Sequence, residues 1–235
     1  MGEKIYPFRK AGLRKKSFYC YNSALDTFLS WTKKERLSNT DIGFFDRYHA
    51  QNYLDYLAVT GGISNTSINN KITYLKALFN GLEERNVISG SPFAKVKKLK
   101  QIKSFQNLAY TETEIIELKN VIEAEAPKLW VFVQLIYYCY IRPAEIRGLK
   151  KENFNLVARK IFIPAEISKN GKDDYVDVPT KFLPDLKKFI DQCKPRTYIF
   201  PGTKEGQPIA INLMTSWHKT FLKRLKFDDR NTLYS

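Results

Sequence analysis

An arginine stands at the end of the most apolar run of this 235-residue chain, where packing alone does not explain it. Arg142 follows the run LWVFVQLIYYCYI and precedes Pro143, and Glu145 comes about one helical turn later. A guanidinium cannot release its proton, so near a core it needs an anionic partner. Glu145 could be that partner in an intramolecular ion pair. Alternatively, a helix that begins at Pro143 leaves Arg142 at a junction, from which the guanidinium can project into a cleft.

A lysine that could reach the same ligand lies 27 positions after the arginine. The segment KIFIPAEISKNGKDDYVDVP is typical of two short strands around the Asn170-Gly171 turn, and Lys169 directly precedes that turn. A hairpin tip is an exposed and flexible position, from which a lysine can reach a ligand.

Several other kinds of reactive site are excluded by the residue inventory. His49 and His218 are the only histidines, and no Cys or His pair has the spacing of metal ligands. A Ser-His-Asp set is not recognisable with so few histidines. The glycine patterns that cradle nucleotide phosphates are missing as well. We therefore expect no metal and no cofactor.

Charge indicates the kind of partner. The chain contains 39 Lys and Arg against 24 Asp and Glu, a net charge of +15. Residues 1–108 carry 18 basic and 8 acidic side chains, whereas residues 109–235 carry 21 and 16. A surplus concentrated in one half predicts a polyanion partner, with nucleic acid favoured over membrane. A basic but merely solvated surface is the alternative.

Membrane insertion and secretion are not expected. The apolar run is too short to cross a bilayer, and the basic N-terminus has no apolar stretch behind it. Cys20, Cys139 and Cys193 are odd in number and far apart, which is typical of free thiols in a reducing compartment. These features predict a cytoplasmic protein.

The elements that must position these residues fall into two domains. Helical spacing of apolar residues predicts helices over 15–34, 44–59 and 64–86, the last with Ser64 or Thr66 as N-cap, and SPFAKV predicts a further helical turn. This helical domain spans 1–98, and the basic, aperiodic stretch 99–109 is interpreted as a linker.

The second domain, 110–235, combines helices with a small sheet. Thr111 and Glu114 form a capping-box pattern that begins a helix, and the apolar run and the segment after Pro143 predict two more. TKFLPDLKKFIDQC and NLMTSWHKTFLKRL predict the last two helices, beyond the hairpin. The expected fold is mainly α with a small antiparallel β-sheet, an α+β arrangement in the second domain.

At these residues the chain resembles the tyrosine recombinases of the phage-integrase family. The family's arginine motif corresponds to Arg142, Glu145, Ile146 and Leu149, and its hairpin lysine corresponds to Lys169 in the segment SKNGK. The first domain, which ends in Ser91-Pro92-Phe93, resembles the family's SAM-like core-binding domain.

The resemblance implies a metal-free transesterification of DNA through a 3′-phosphotyrosyl intermediate. Arg142 would hold the scissile phosphate, and Lys169 would be the general acid that protonates the leaving 5′-oxygen. Glu145 would stand behind the arginine, orienting it or bracing the junction. The partner would be double-stranded DNA, and the complete enzyme would be a tetramer on DNA.

The end of the chain departs from the family pattern. A His-x-x-Arg box and a late nucleophilic tyrosine are expected beyond the last helix, but the chain stops at NTLYS. Tyr234 corresponds to the first position of the box, which is too early for the nucleophile. We therefore expect a catalytic domain incomplete at its C-terminus, in a monomeric chain that binds DNA without cleaving it. The alternatives are a non-catalytic DNA-binding protein or inhibitor derived from a recombinase, and a type IB topoisomerase.

Two sets of polar residues are candidates for DNA contact. The start of the third helix could reach base edges or phosphates, and the basic stretch after SPFAKV could follow a phosphate backbone. The candidates are Asn65, Thr66, Ser67, Asn69, Asn70 and Lys71 on the helix, and Lys97, Lys98, Lys100 and Lys103 in the basic stretch.

Overall fold

The computed structural model describes residues 15–60, 62–101 and 107–235. The chain divides into two compact units, Met1–Lys103 and Ser104–Ser235, each with its own apolar core. Both units are mainly helical, and the second contains a small antiparallel sheet, so the predicted fold class is confirmed. Within the described ranges, no helix is both long and apolar enough to cross a membrane.

Three α-helices build the described part of the first unit: α1 (Lys15–Lys34), α2 (Arg47–Val59) and α3 (Asn65–Glu83). Phe28 of α1 lies at the centre of the core, and its ring meets those of Tyr53 and Phe79 edge-on at centroid distances of 5.1 and 5.8 Å. Aromatic rings bury much apolar surface and prefer such edge-to-face contacts. Phe93 also packs against Phe28, so the chain beyond α3 returns to the same core.

Local capping sets where these helices begin. Ser64 is the N-cap of α3, one of the two residues predicted. The second helix begins at Arg47, later than predicted, because Asp46 and His49 form a capping box and Ile42–Phe44 forms a separate 3-10 turn. The prediction of a helical turn at SPFAKV is wrong, because residues 92–95 form a turn that is not part of a helix.

The second unit contains five α-helices in its described part: α4 (Glu112–Glu125), α5 (Pro127–Cys139), α6 (Pro143–Gly148), α7 (Leu183–Asp191) and α8 (Leu213–Arg224). The capping box of Thr111 and Glu114 begins α4 as predicted. The apolar run forms α5, whose residues Leu129, Phe132 and Leu135 lie in the core. Cys139, the last residue of α5, is also buried.

A three-stranded antiparallel sheet lies between α6 and α7 in the chain. Its strands are β1 (Phe154–Asn155), β2 (Lys160–Ile163) and β3 (Asp174–Asp177), in the order β1-β2-β3, with Ile161 opposite Val176. The sequence predicted β2 and β3 but not β1, and it predicted a tight turn between them. Instead, residues 164–173 form a long connection, which we call the hairpin loop.

The hairpin loop has internal hydrogen bonds that replace a two-residue turn. The backbone N–H groups of Ile167 and Ser168 donate to Pro164 O at 3.1 and 2.9 Å. The Ala165 N–H donates to the Asp173 carboxylate at 2.8 Å, which closes the base of the loop. Gly171 has a φ of 68°, a left-handed conformation that glycine adopts without strain.

Candidate functional site

Arg142 lies at the junction of α5 and α6. Tyr140 caps α5 in the left-handed conformation, with φ 53°, which turns the chain away from the helix axis. Arg142 is extended (φ −70°, ψ 144°) and is the N-cap of α6, and its carbonyl oxygen accepts from the N–H groups of Glu145 and Ile146 at 2.8 and 2.9 Å. The junction therefore holds the arginine backbone firmly, while its side chain remains 51% exposed.

Glu145 connects the arginine to the hairpin loop. Its side chain is only 7% exposed, and its Oε1 accepts from Arg142 Nη1 at 3.1 Å. Oε2 accepts from the Arg142 backbone N–H at 3.1 Å, and Oε1 also accepts from the Lys169 backbone N–H at 2.9 Å. A buried carboxylate needs such charged and polar partners. The intramolecular ion pair considered from the sequence is thus present, and it leaves half of the arginine side chain accessible.

Lys169 reaches this site through its backbone. It lies in the hairpin loop and is 24 residues away from Glu145 in the chain, yet its amide is bound to that carboxylate. Its side chain is exposed. The structure therefore brings together Arg142, Glu145 and Lys169, the three residues predicted from the arginine motif and the hairpin. The hydrogen bond from the Lys169 amide was not predicted.

Two exposed tyrosines precede the arginine and were also missed. Tyr137 and Tyr140 are 66% and 87% exposed, although the run that contains them is the most apolar of the chain. The exposure of Tyr137 follows from helical phase, since Leu129, Phe132 and Leu135 occupy the opposite, buried face of α5. Tyr140 lies beyond the helix, at its left-handed C-cap, so helical phase does not predict its exposure.

Tyr234 is held by a separate set of contacts at the C-terminal segment (residues 228–235). Its backbone N–H donates to Thr232 Oγ1 at 3.0 Å, and its side chain is exposed. The segment is bound to the start of the second unit: Leu108 N donates to Arg230 O at 3.2 Å, and Asn231 Nδ2 donates to Leu108 O at 2.8 Å. Tyr234, which is assigned to the first position of the His-x-x-Arg box, thus lies in a segment that is held by several hydrogen bonds.

Asn69 does not face solvent, contrary to the expectation that it contacts DNA. It is 3% exposed, its Nδ2 donates to Leu99 O at 2.9 Å, and its Oδ1 accepts from Leu99 N at 2.8 Å. Asn65 Nδ2 similarly donates to Lys100 O at 2.8 Å. These two amides bind the backbone that follows SPFAKV, so they organise the first unit itself.

The other candidates on α3 divide by exposure. Lys71 is partly buried and its Nζ donates to Thr27 Oγ1 of α1 at 2.8 Å, which ties two helices together. Thr66, Ser67 and Asn70 are exposed. They remain the candidates of this helix for contact with DNA.

The lysine segment (residues 97–100) is docked on α3. Leu99 packs against the core of the first unit, and the exposed Lys97, Lys98 and Lys100 surround it. The predicted linker, residues 99–109, begins at Leu99, so its first residue is packed against the first unit. Lys103 lies outside the described residues.

We predict that Asn69→Ala destabilises the first unit by about 2 kcal/mol, because it removes the partners of both Leu99 backbone groups. Asn70→Ala is the matched control, since Asn70 is the exposed neighbour on the same helix and its loss is expected to cost less than about 0.5 kcal/mol. Urea unfolding measures both. Equal effects of the two substitutions would contradict the role of Asn69.

The two histidines lie on helices, His49 on α2 and His218 on α8. Burial lowers the pKa of His218 on α8 to about 4, so that it is neutral at pH 7. His49 completes the capping box of α2, in the first unit. Among the described residues, no group of three or more His, Cys, Asp or Glu side chains could hold a metal ion.

Comparison with known proteins finds a matching family profile for each unit. The profile described as the phage integrase family matches residues 108–230, and that described as the phage integrase N-terminal SAM-like domain matches residues 6–89. A tyrosine recombinase of Thermosipho africanus (strain TCF52B) is 26% identical over 210 residues, which cover 87% of this chain and 70% of that protein.

Other relatives are similar over less of their length. The tyrosine recombinase XerC of Staphylococcus aureus (strain USA300 / TCH1516) is 25% identical over 180 residues, 74% of this chain and 57% of that protein.

Among solved structures, the Tn1549 transposon integrase in complex with a circular intermediate DNA has a TM-score of 0.76 at 13% identity, covering 99% of this chain and 81% of that one.

Proposed function

This chain belongs to the phage integrase family, and we propose that it binds duplex DNA as the core-binding and catalytic-domain portion of a tyrosine recombinase. The reaction of such an enzyme exchanges one phosphate ester for another. A tyrosine hydroxyl gives up its proton and its oxygen forms a bond to phosphorus, while the bond from phosphorus to the 5′-oxygen breaks and the 5′-oxygen takes up a proton. The 5′-hydroxyl of a partner strand then reverses these steps, so that no cofactor is consumed.

We assign the roles of three residues in this reaction. Arg142 binds the non-bridging oxygens of the scissile phosphate and stabilises the charge that develops on them. Lys169 supplies the proton to the leaving 5′-oxygen. Glu145 holds the arginine side chain and the lysine backbone, and does not itself touch the DNA.

The observation that carries this proposal is the bridge that Glu145 makes between Arg142 and Lys169. Glu145 therefore keeps the Arg142 guanidinium and the Lys169 backbone close together, while the Lys169 side chain is exposed. Glu145 engages Nη1 of the guanidinium, and a phosphate can be bound by its remaining N–H groups.

We further propose how the rest of the chain meets DNA. The exposed Thr66, Ser67 and Asn70 of α3 would contact bases or phosphates, and the exposed lysines of the lysine segment would contact the backbone. We propose that the chain is a monomer in solution and that the complete recombinase assembles as a tetramer on DNA.

The direct test is duplex binding by Arg142 variants. Arg142→Ala is expected to weaken binding about tenfold at constant salt, since it removes a charge-assisted interaction with phosphate. Arg142→Lys should recover only part of the affinity, because a lysine cannot form the paired contacts of a guanidinium. Lys187→Ala is the matched control: it removes one exposed charge from α7 and should change affinity little. Equal reductions in affinity for Arg142→Ala and Lys187→Ala would refute a phosphate site at Arg142.

A further inference from the structure

Gly148, the last residue of α6, lies in direct contact with the hairpin loop. A Cβ atom at this position would lie 2.6 Å from Ile167 Cγ2, 3.0 Å from Ile167 Cβ and 3.3 Å from Ile167 Cδ1. The first distance is shorter than packed carbon atoms tolerate. Gly148 is not among the glycines with positive φ, so its backbone would accept another residue. Space, and not backbone conformation, is what requires a glycine here.

The hairpin loop rests on α6 at two points. Ile167 packs on Gly148, and two residues later the Lys169 amide donates to Glu145 Oε1 at 2.9 Å. Glu145 and Gly148 are three residues apart in the helix and so lie on one face of it. Hydrogen bonds from the Ile167 and Ser168 amides to Pro164 O make this part of the loop a bonded turn, so a shift of Ile167 displaces Lys169 as well.

We propose that Gly148 is a positioning residue for Lys169: its missing side chain lets Ile167 approach α6 closely enough for the Lys169 amide to reach Glu145. The inference rests on the proposed function, in which Lys169 must stand beside a phosphate bound by Arg142. The contact belongs to the free protein, however, and can be measured without DNA.

The test is hydrogen exchange of the Lys169 amide, measured by NMR in the 235-residue chain. Gly148→Ala should lower the protection of this amide about tenfold or more, because overpacking at Ile167 pushes the loop from Glu145. Alanine also favours a helix over glycine, so reduced protection cannot come from a weaker helix. Thermal unfolding of the same samples reports whether the fold is retained.

Two variants of Ile167 distinguish a direct contact between residues 148 and 167 from a general disturbance of the fold. Ile167→Ala removes Cγ2, so adding Gly148→Ala to it should lower protection much less than in the wild-type background. Ile167→Val keeps Cγ2 and should give no such relief. This non-additivity is the signature of direct contact. The inference is overturned if Gly148→Ala lowers protection equally in all three backgrounds, or does not lower it in the wild-type chain.

The outcome is independent of the DNA result. Reduced protection of the Lys169 amide as described, together with unchanged duplex binding by Arg142→Ala, would support the positioning contact and refute the phosphate site. Unchanged protection of the Lys169 amide, together with weaker duplex binding by Arg142→Ala, would refute the contact and support the proposed function.

Discussion

Duplex affinity of this chain is expected to fall about a thousandfold between about 50 and 200 mM salt, the behaviour of a protein that neutralises roughly six phosphates. The physical reason is release of condensed counterions when Lys and Arg side chains replace them. The net charge of +15 supplies enough cations, with the larger surplus in residues 1–108. Titration of a labelled duplex at several salt concentrations gives the slope directly.

The lysine segment should account for a defined share of that slope. Replacing Lys97, Lys98 and Lys100 together by alanine is expected to reduce the slope of log affinity against log salt by about 2.7, or about 0.9 for each phosphate that is no longer neutralised. The matched control replaces three exposed lysines of the second unit, Lys181, Lys187 and Lys188, and removes the same charge. If both triple variants lowered the slope equally, net charge and not the lysine segment would explain binding.

Incubation of the 235-residue chain with a nicked suicide duplex is expected to leave no covalent protein–DNA adduct. Positioning of the nucleophile in line with phosphorus supplies much of the rate of such a reaction. Tyr234 is assigned to the first position of the box, which is too early in the chain for the nucleophile, so we do not expect its hydroxyl to serve. Denaturing electrophoresis of labelled DNA measures the adduct.

Variants identify the nucleophile if an adduct forms. An adduct that disappears in Tyr234→Phe would show that the assignment of Tyr234 is wrong. An adduct that is absent instead in Tyr137→Phe or Tyr140→Phe would point to one of the exposed tyrosines beside Arg142. Absence of an adduct, with binding that weakens in Arg142→Ala, is the expected result. A chain extended through a second arginine and a late tyrosine should then cleave.

The family was predictable from sequence, and the two cations that we assign to the candidate site were chosen because each has a local signal. Arg142 ends an apolar run and precedes a proline, and Lys169 precedes an Asn-Gly pair. The resemblance to the phage-integrase family built on them is confirmed by the family match. The bond from the Lys169 amide to Glu145 could not be predicted, since it depends on a loop whose conformation the neighbouring helix fixes.

The error at Asn69 had a different origin. A polar helix start suggested a polar surface, but Asn69 follows Ile68 directly and precedes Ile72 by three residues, so it borders the buried stripe of α3. Helical phase therefore argued for partial burial. What the sequence does not reveal is the partner that satisfies the buried amide, the Leu99 backbone 30 residues away. The two-residue strand β1 was missed because so short a segment shows no periodicity.

The burial of Cys139 decides how this protein can be chemically labelled. Burial raises the pKa of its thiol to about 12. At neutral pH the reactive thiolate is then only about one part in a hundred thousand of the thiol. A maleimide or an oxidant is therefore expected to react far more slowly with Cys139, three residues before Arg142, than with an exposed thiol while the native fold persists. Fluorophores attached at the partly exposed Cys20 and Cys193 would report on one unit each, with the arginine junction chemically unaltered.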